Sequence, residues 1–428
     1  MYKNGLSYIG SCLFVLLAHC AMLMVVFFNG KYEGTKEVVT LASVVICFDL
    51  IYFIVMLFYK QMTYSIDFML ILILNMSLIF QSCFGGVGLA KKHLITCIAA
   101  LIACRAGYLL CRNHKWIQTK KKYIFAVNLI IILAILTLTG SRSMWIDLGF
   151  MTIQPSEFLK PAFILACSTS VIEQQQKTKI LFFNVVKMNI ALTGLIILVV
   201  GLQWWCRDLG SLPTFVAVYA CGMAFRLCYP KAKFSKKILI ILGSIGAVLV
   251  IAALKFAPSY VQDRLHVDIW NDKSNNGYQQ CQALIAIAEG GWFGKGPGQG
   301  TLHKVFASDT DIVFSTICEE WGLLFAIMMI IVILIMLMLP LINPPRSYFH
   351  ATMTTGVCAA FIVQMALNIF GSCNLIPFTG VTIPFISQGG SSMVTSGFMI
   401  GMITAGQSPV FKKPKKKKKA AKVVKGVE

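Results

Sequence analysis

Long apolar runs recur along the whole chain, separated by short polar stretches, and each is long enough to cross roughly 30 Å of hydrocarbon, which takes about 20 residues of helix. The pattern predicts about twelve spans, near 7–29, 37–58, 64–84, 93–111, 123–140, 158–174, 180–201, 210–226, 237–256, 312–340, 349–371 and 385–406. A transmembrane barrel would show segments of about ten residues with alternating polarity, so these spans are expected to be helical. The chain then divides into five N-terminal spans within 1–140, a first extracytoplasmic loop at 141–157 and four spans within 158–256. A large extracytoplasmic loop at 257–311, three spans within 312–408 and a basic tail at 409–428 complete it. The fold class expected is an all-α polytopic membrane protein.

Composition agrees, since 57% of the 428 residues are hydrophobic and only 13% charged, about half the charged share of a soluble domain. The mean hydropathy is +0.75. The first run is too long for a secretory signal and no small-residue cleavage site follows it, so a retained helix with a cytoplasmic N-terminus is expected. Most of the fifteen Cys lie inside apolar runs without paired spacing and read as small buried hydrophobes. No CxxC spacing is present and the six His are scattered, so no structural metal site is expected from the sequence.

The net charge of +21 does not point to nucleic acid, because Lys and Arg collect in alternate loops, as bilayer orientation demands. The stretches 111–123, 226–237 and 343–349 and the tail "KKPKKKKKAAKVVK" would all face the cytoplasm. The tail is expected to be solvated and attracted to anionic lipids, at about 1 kcal/mol per Lys near the surface. "GGVGLAKKH" (85–93) reads as a basic loop on the opposite side, against that rule.

Two extracytoplasmic segments are too polar and aromatic to be mere turns: "GSRSMWIDLGFMTIQPSEFLK" (140–160) and the long loop ending in "FASDTDIVFS". Within the latter, Cys281, Leu284, Ile285 and Ala288 form an apolar stripe that predicts an amphipathic helix. "GKGPGQG" lacks the Walker spacing and serves equally as a flexible turn. A third segment, "NIFGSCNLIPFTGVTIPFISQGGSSM" (368–393), carries Pro and Gly at membrane depth, tolerated only where protein or a wet cavity satisfies the freed backbone. Charged residues embedded in or bordering spans, among them Glu157, Lys160, Asp208, Asp49 and Arg105, are candidates for function; for Asp49 and Arg105 a packing pair or a snorkelling arrangement is the simpler account.

Five blocks in order, "SMWIDLGFMTIQPSEFLK", "RDLGS", "GYQQCQALIAIAEGGWFGKGPGQGT", "DTDIVFSTICEEWG" and "LIPFTGVTIPFISQGGSS", resemble the SEDS family (shape, elongation, division and sporulation), which includes RodA, FtsW and SpoVE. The resemblance implies a ten-helix core, here with two extra N-terminal spans, and a peptidoglycan glycosyltransferase that polymerises lipid II beside a class B penicillin-binding protein. It places the essential acid on Asp311, with Asp309 standing where relatives usually carry His. It also implies substrate contacts from Trp145, Arg142, Glu157, Lys160, Asp208, Arg264, Tyr278, Gln279, Lys295, Ser387, Gly389, Gly390 and Ser391, with Glu319 and Glu320 in second rank. Gln388 replaces the usual Tyr of the last block, and Phe306 and Ala307 replace a usual Pro-Glu.

Polymerisation joins a sugar hydroxyl to an anomeric carbon and expels a lipid pyrophosphate. The attacking hydroxyl needs a base while the leaving group needs charge neutralisation, so one carboxylate suffices where a hydrolase uses a pair. Asp311 could instead cap the following helix. The pyrophosphate would draw on Arg or Lys, with Arg142, Lys160, Arg207, Arg264 and Lys295 as candidates. A site shared between pyrophosphate and carboxylate would suit Mg²⁺ or another divalent cation, although no motif demonstrates one. Two other expectations use the same features: a transporter of the lipid precursor, and a non-catalytic scaffold for a penicillin-binding protein.

Overall fold

The computed structural model describes residues 5–30, 35–59, 64–138, 145–147, 152–171, 177–180, 183–208, 210–227, 267, 269–270, 275–345 and 347–408. In chain order the helices are α1 (Gly5–Asn29), α2 (Thr35–Leu57), α3 (Ser65–Cys111), α4 (His114–Thr119), α5 (Lys121–Leu138), α6 (Pro155–Ser170), α7 (Lys187–Trp205) and α8 (Leu212–Leu227). After these come α9 (Asn275–Gly290), α10 (Val313–Trp321), α11 (Leu323–Ile342), α12 (Tyr348–Ser372) and α13 (Gly390–Gln407). Two short antiparallel hairpins interrupt the helices: β1 (Ile146–Asp147) with β2 (Thr152–Ile153), and β3 (Lys177–Ile180) with β4 (Phe183–Val186). Among the described residues seven helices are long and apolar enough to cross a membrane, so this is a multi-pass membrane protein. Every expected span but one falls on a described helix; 237–256 lies outside the described residues, as does the tail from 409.

The expected basic loop at 85–93 is corrected. Helix α3 is two limbs folded back on each other at Gly85 and Gly86, and Lys91 and Lys92 lie inside the second limb. Gly86 has φ +64, which the missing Cβ makes inexpensive. The limbs run antiparallel: Arg105 pairs with Asp67 near one end, Leu101 packs with Phe68 and Ile71, and Ser77 Oγ meets His93 Nε2 at 2.7 Å near the other. Asp49 and Arg105 therefore do not pair with each other. Asp49 takes His19 at 2.7 Å, and Arg105 also lies over the Tyr59 ring.

The second limb of α3 packs tightly on α13. Ala100 and Cys104 carbonyls approach Gly397 and Gly401 so closely that a Cβ there would sit 2.1 and 2.0 Å away, the small-xxx-small contact by which membrane helices associate. A continuous core then joins α3, α6, α8, α12 and α13 around Phe80, Phe163 and Phe361.

The single span expected over 312–340 is broken. Gly322, at φ +86, separates α10 from α11, and the freed amides of Leu323 and Leu324 donate to the Gly291 and Trp292 carbonyls at 2.9 and 3.2 Å. Helices α6 and α13 also begin at different points from the expected 158 and 385, at Pro155 and Gly390. At one end of the bundle the α3 reversal, the 208–211 turn, the 290–311 loop and the 373–389 connection all meet.

Candidate active site

The backbone of Asp309, Thr310 and Asp311 is held by three separate parts of the fold. The Asp309 carbonyl accepts from the Gln388 amide at 2.8 Å and from Gln81 Nε2 of α3 at 3.3 Å. Ser387 Oγ donates to the Thr310 carbonyl at 2.6 Å. Asn368 Nδ2 of α12 donates to the Asp311 and Val381 carbonyls, both at 2.7 Å. Three successive carbonyls are thus pinned to α3, α12 and the 373–389 connection, which fixes where the Asp311 side chain starts. Gly380 closes the other side, and a Cβ there would lie 3.4 Å from Asp311 Oδ2. Ile312, not Asp311, occupies the N-cap of α10, so Asp311 is not spent as a helix cap.

Burial pushes the Asp311 carboxyl up to about 6, with the Asp309 charge adding to it and the Thr310 hydrogen bond opposing. Burial also raises Asp309, and the nearby Lys92 ammonium opposes the rise. A carboxylate near this value is poised to take a proton at neutral pH.

A second charged group lies on the far side of the 379–381 segment. Lys160 Nζ meets Glu157 Oε1 at 2.6 Å, one helical turn apart on α6 and both buried, and Thr395 of α13 donates to Glu157 Oε2 at 3.4 Å. Asp208 is buried nearby, raised by that burial while Ser211 opposes, and its Oδ1 accepts the Ser211 amide at 3.2 Å ahead of α8. Gly210 brings this turn against the Thr379 carbonyl, 2.3 Å from where a Cβ would be. Pro155 at the first turn of α6 sets this geometry, since its missing N–H costs nothing there.

Lys295, Glu319 and Glu320 form a third arrangement, which builds the loop. Glu319 accepts from Lys295 Nζ at 3.0 Å and from the Thr301 and Leu302 amides at 2.8 and 2.9 Å, while Glu320 accepts from the Gly298 amide at 2.8 Å. These acids of α10 serve as anchors for the 295–302 turn that leads to Asp309.

Of the remaining residues expected at the site, Arg142 and Arg264 lie outside the described residues. Trp145 and Tyr278 are exposed. Gln279 ties α9 to the Phe306 carbonyl at 3.0 Å. Gly389 is the N-cap of α13, followed by Gly390, and Ser391 is buried in its first turn. Ser387 faces the protein as a clamp. The sequence reading missed Gln81, Lys92, His93 and Asn368. For Lys92 and His93 the misread loop at 85–93 hid the signal, and Gln81 stood as a lone amide near the end of the expected span 64–84. Asn368 stood in view as a lone amide at the end of an apolar run.

An apolar cleft of about 360 Å³ that includes Thr395 opens between α3, α4, α5, α6 and α13, lined by Trp116, Tyr123, Val127, Phe158, Ala162 and Phe398. Its walls suit a hydrocarbon chain. Among the described residues no three His, Cys, Asp or Glu side chains converge to hold a metal ion.

The fold and this end-of-bundle site define a polytopic helical membrane protein with a half-buried carboxylate set against a non-helical connection between two membrane helices. Residues 54–408 match the sequence profile of the FtsW/RodA/SpoVE cell cycle protein family, and the chain belongs to that family. The match begins near the end of α2, leaving α1 and most of α2 outside it. The chain is 31% identical over 277 residues to the probable peptidoglycan glycosyltransferase FtsW of Alcanivorax borkumensis, covering 62% of this chain and 69% of that one. It is 30% identical to the protein of the same name from Saccharophagus degradans, over 61% and 67%. A chain of a peptidoglycan synthase complex shares its fold at TM-score 0.64 and 18% identity, covering 82% of this chain and 98% of that one. RodA of Thermus thermophilus does so at TM-score 0.56 and 17% identity, over 82% and 97%.

Proposed function

We propose that the protein is a peptidoglycan glycosyltransferase that polymerises lipid II, with Asp311 as the general base. The observation that carries this reading is the three-carbonyl clamp, which holds a half-buried carboxylate of raised proton affinity at the bundle end where sugars would meet it. The relatives named as probable peptidoglycan glycosyltransferases support it.

In the reaction the acceptor sugar hydroxyl gives its proton to Asp311 while its oxygen forms a bond to the anomeric carbon of the donor. The bond from that carbon to the pyrophosphate oxygen breaks, the electron pair leaves with the lipid pyrophosphate, and the anomeric configuration inverts. Lys92, exposed beside Asp309, supplies positive charge for the pyrophosphate, joined by Arg142 and Arg264. Lys160 neutralises Glu157 and partly offsets Asp208, weakening the repulsion between this wall and an anionic substrate. The apolar cleft receives the polyprenyl chain.

The site end then faces outward, both termini lie in the cytoplasm of a bacterial cell, and the basic tail meets anionic lipids. The partner is a class B penicillin-binding protein, consistent with the fold shared with a chain of a synthase complex. The test is polymer formation from labelled lipid II by the natural chain and by Asp311→Asn. A ladder of glycan products lost in the variant supports the reading; an equally active variant removes Asp311 from the chemistry.

A further inference from the structure

The helix pair outside the family match makes a contact that the bundle itself does not require. Helix α1 ends at Asn29, and its last carbonyls lack partners within the helix. One of them, Asn29 O, accepts from Gln299 Nε2 at 2.6 Å, so a side chain from the distant extracytoplasmic loop caps α1. Gly296 of the same loop presses on the same carbonyl, 2.9 Å from where a Cβ would sit. The touched segment is the one anchored on Glu319 and Glu320, and it runs through the 3-10 turn Leu302–Lys304 to Asp309 and Asp311.

The pair is also fixed at depth. His19 of α1 and Asp49 of α2 are fully buried, 2.7 Å apart, and Asn75 of α3 donates to Asp49 Oδ1 at 2.8 Å. His19 Nε2 faces the Leu72 carbonyl of α3 at 3.2 Å. Both ring nitrogens of His19 thus face oxygen atoms, one on α2 and one on α3, and Asn75 ties the Asp49 end of the pair to α3 as well. Cut loose from α3, the pair would be left without its amide and carbonyl partners in hydrocarbon, so the network holds α1 and α2 in one position against the core.

We infer that α1 and α2 are a positioning element for the site: a helix pair locked to α3 by His19, Asp49 and Asn75, whose outer tip holds the 294–300 turn in place behind the catalytic acid. Gln299 is the positioning residue at the contact. The consequence for catalysis rests on the polymerase reading; the contact itself does not.

The experiment is hydrogen–deuterium exchange on the detergent-solubilised full chain, reading the amides of Lys295, Gly296, Gly298 and Gln299, all of which are hydrogen-bonded in the turn. Natural protein is compared with Gln299→Ala and with Asp49→Leu, the second change lying deep in the membrane and far from the loop in sequence. Exchange in the turn should rise about fivefold or more in both, the factor expected when a typical hydrogen bond is lost. Exchange at natural rates in Gln299→Ala overturns the inference, whatever Asp49→Leu does. So does natural exchange in Asp49→Leu when that variant accumulates. As a second readout, Gln299→Ala should raise the KM for lipid II severalfold while kcat stays within about twofold. Absence of polymerisation by the natural chain would sink the polymerase reading and leave the exchange result standing.

Discussion

Replacing Asp311 by Asn should make the protein inactive and more stable, and the stability gain should depend on pH. In the folded chain the Asp311 carboxyl is raised from 3.8 to about 6, chiefly by burial. The folded state therefore holds this proton more tightly than the unfolded state does, so ionising it costs folding free energy. That cost is absent below about pH 4, grows as pH rises through the interval up to about 6, and is constant above it. A shift of about two units corresponds to ~3 kcal/mol at neutral pH as an upper bound, lowered by the solvent that still reaches the side chain. Asn is nearly isosteric and uncharged, and the carbonyl clamp that holds residue 311 uses only backbone. Thermal unfolding of both proteins in detergent at pH 4.5 and pH 8 measures the difference. The Asn variant should melt several degrees higher at pH 8 and close to the natural protein at pH 4.5. Equal melting at both pH values, or a variant less stable at pH 8, would refute the burial argument. Polymerisation by the natural protein should fall about tenfold per pH unit below about 6.

Asn368→Ala should leave the Asp311 and Val381 carbonyls without their donor, cost about 1–3 kcal/mol for each if they stay dry, and cut polymerisation tenfold or more; melting and product gels check both. Gly397→Val should force α13 away from the Ala100 carbonyl and lower stability by about 1–3 kcal/mol or more, and a melting point unchanged from the natural protein would contradict that packing. Lys160→Met should strand the buried Glu157 charge at a cost of about 3–5 kcal/mol, while Lys160→Met combined with Glu157→Gln recovers much of it in a double-mutant cycle.

The spans were legible because a bilayer imposes a length and polarity on each helix that few other structures imitate. The position of the acids at the end of a span was legible too, since Asp309 and Asp311 close a polar stretch before an apolar run. What the pattern concealed was tertiary. Gly85 and Gly86 reverse the chain with so little polar sequence that Lys91 and Lys92 read as a misplaced loop, when they open a helix beside Asp309. The break at Gly322 was concealed within the expected span 312–340, because the freed amides of Leu323 and Leu324 are satisfied by the carbonyls of Gly291 and Trp292, in a loop distant in sequence. Glu319 and Glu320 read as second-rank site residues, whereas their hydrogen bonds go to loop amides. Apolarity records burial but not the backbone partner that makes a break affordable. Likewise the resemblance placed Ser387 against substrate, while its hydroxyl holds the Thr310 carbonyl.

The most direct test of the central claim is to reconstitute the purified chain in sealed vesicles with labelled lipid II, with and without a class B penicillin-binding protein, and to follow glycan length and the sidedness of the label together. The account predicts glycan strands that depend on Asp311. Label that crosses the bilayer without ever being joined would make the protein a transporter, and strands that form only through the partner, equally well with Asp311→Asn, would make it a scaffold.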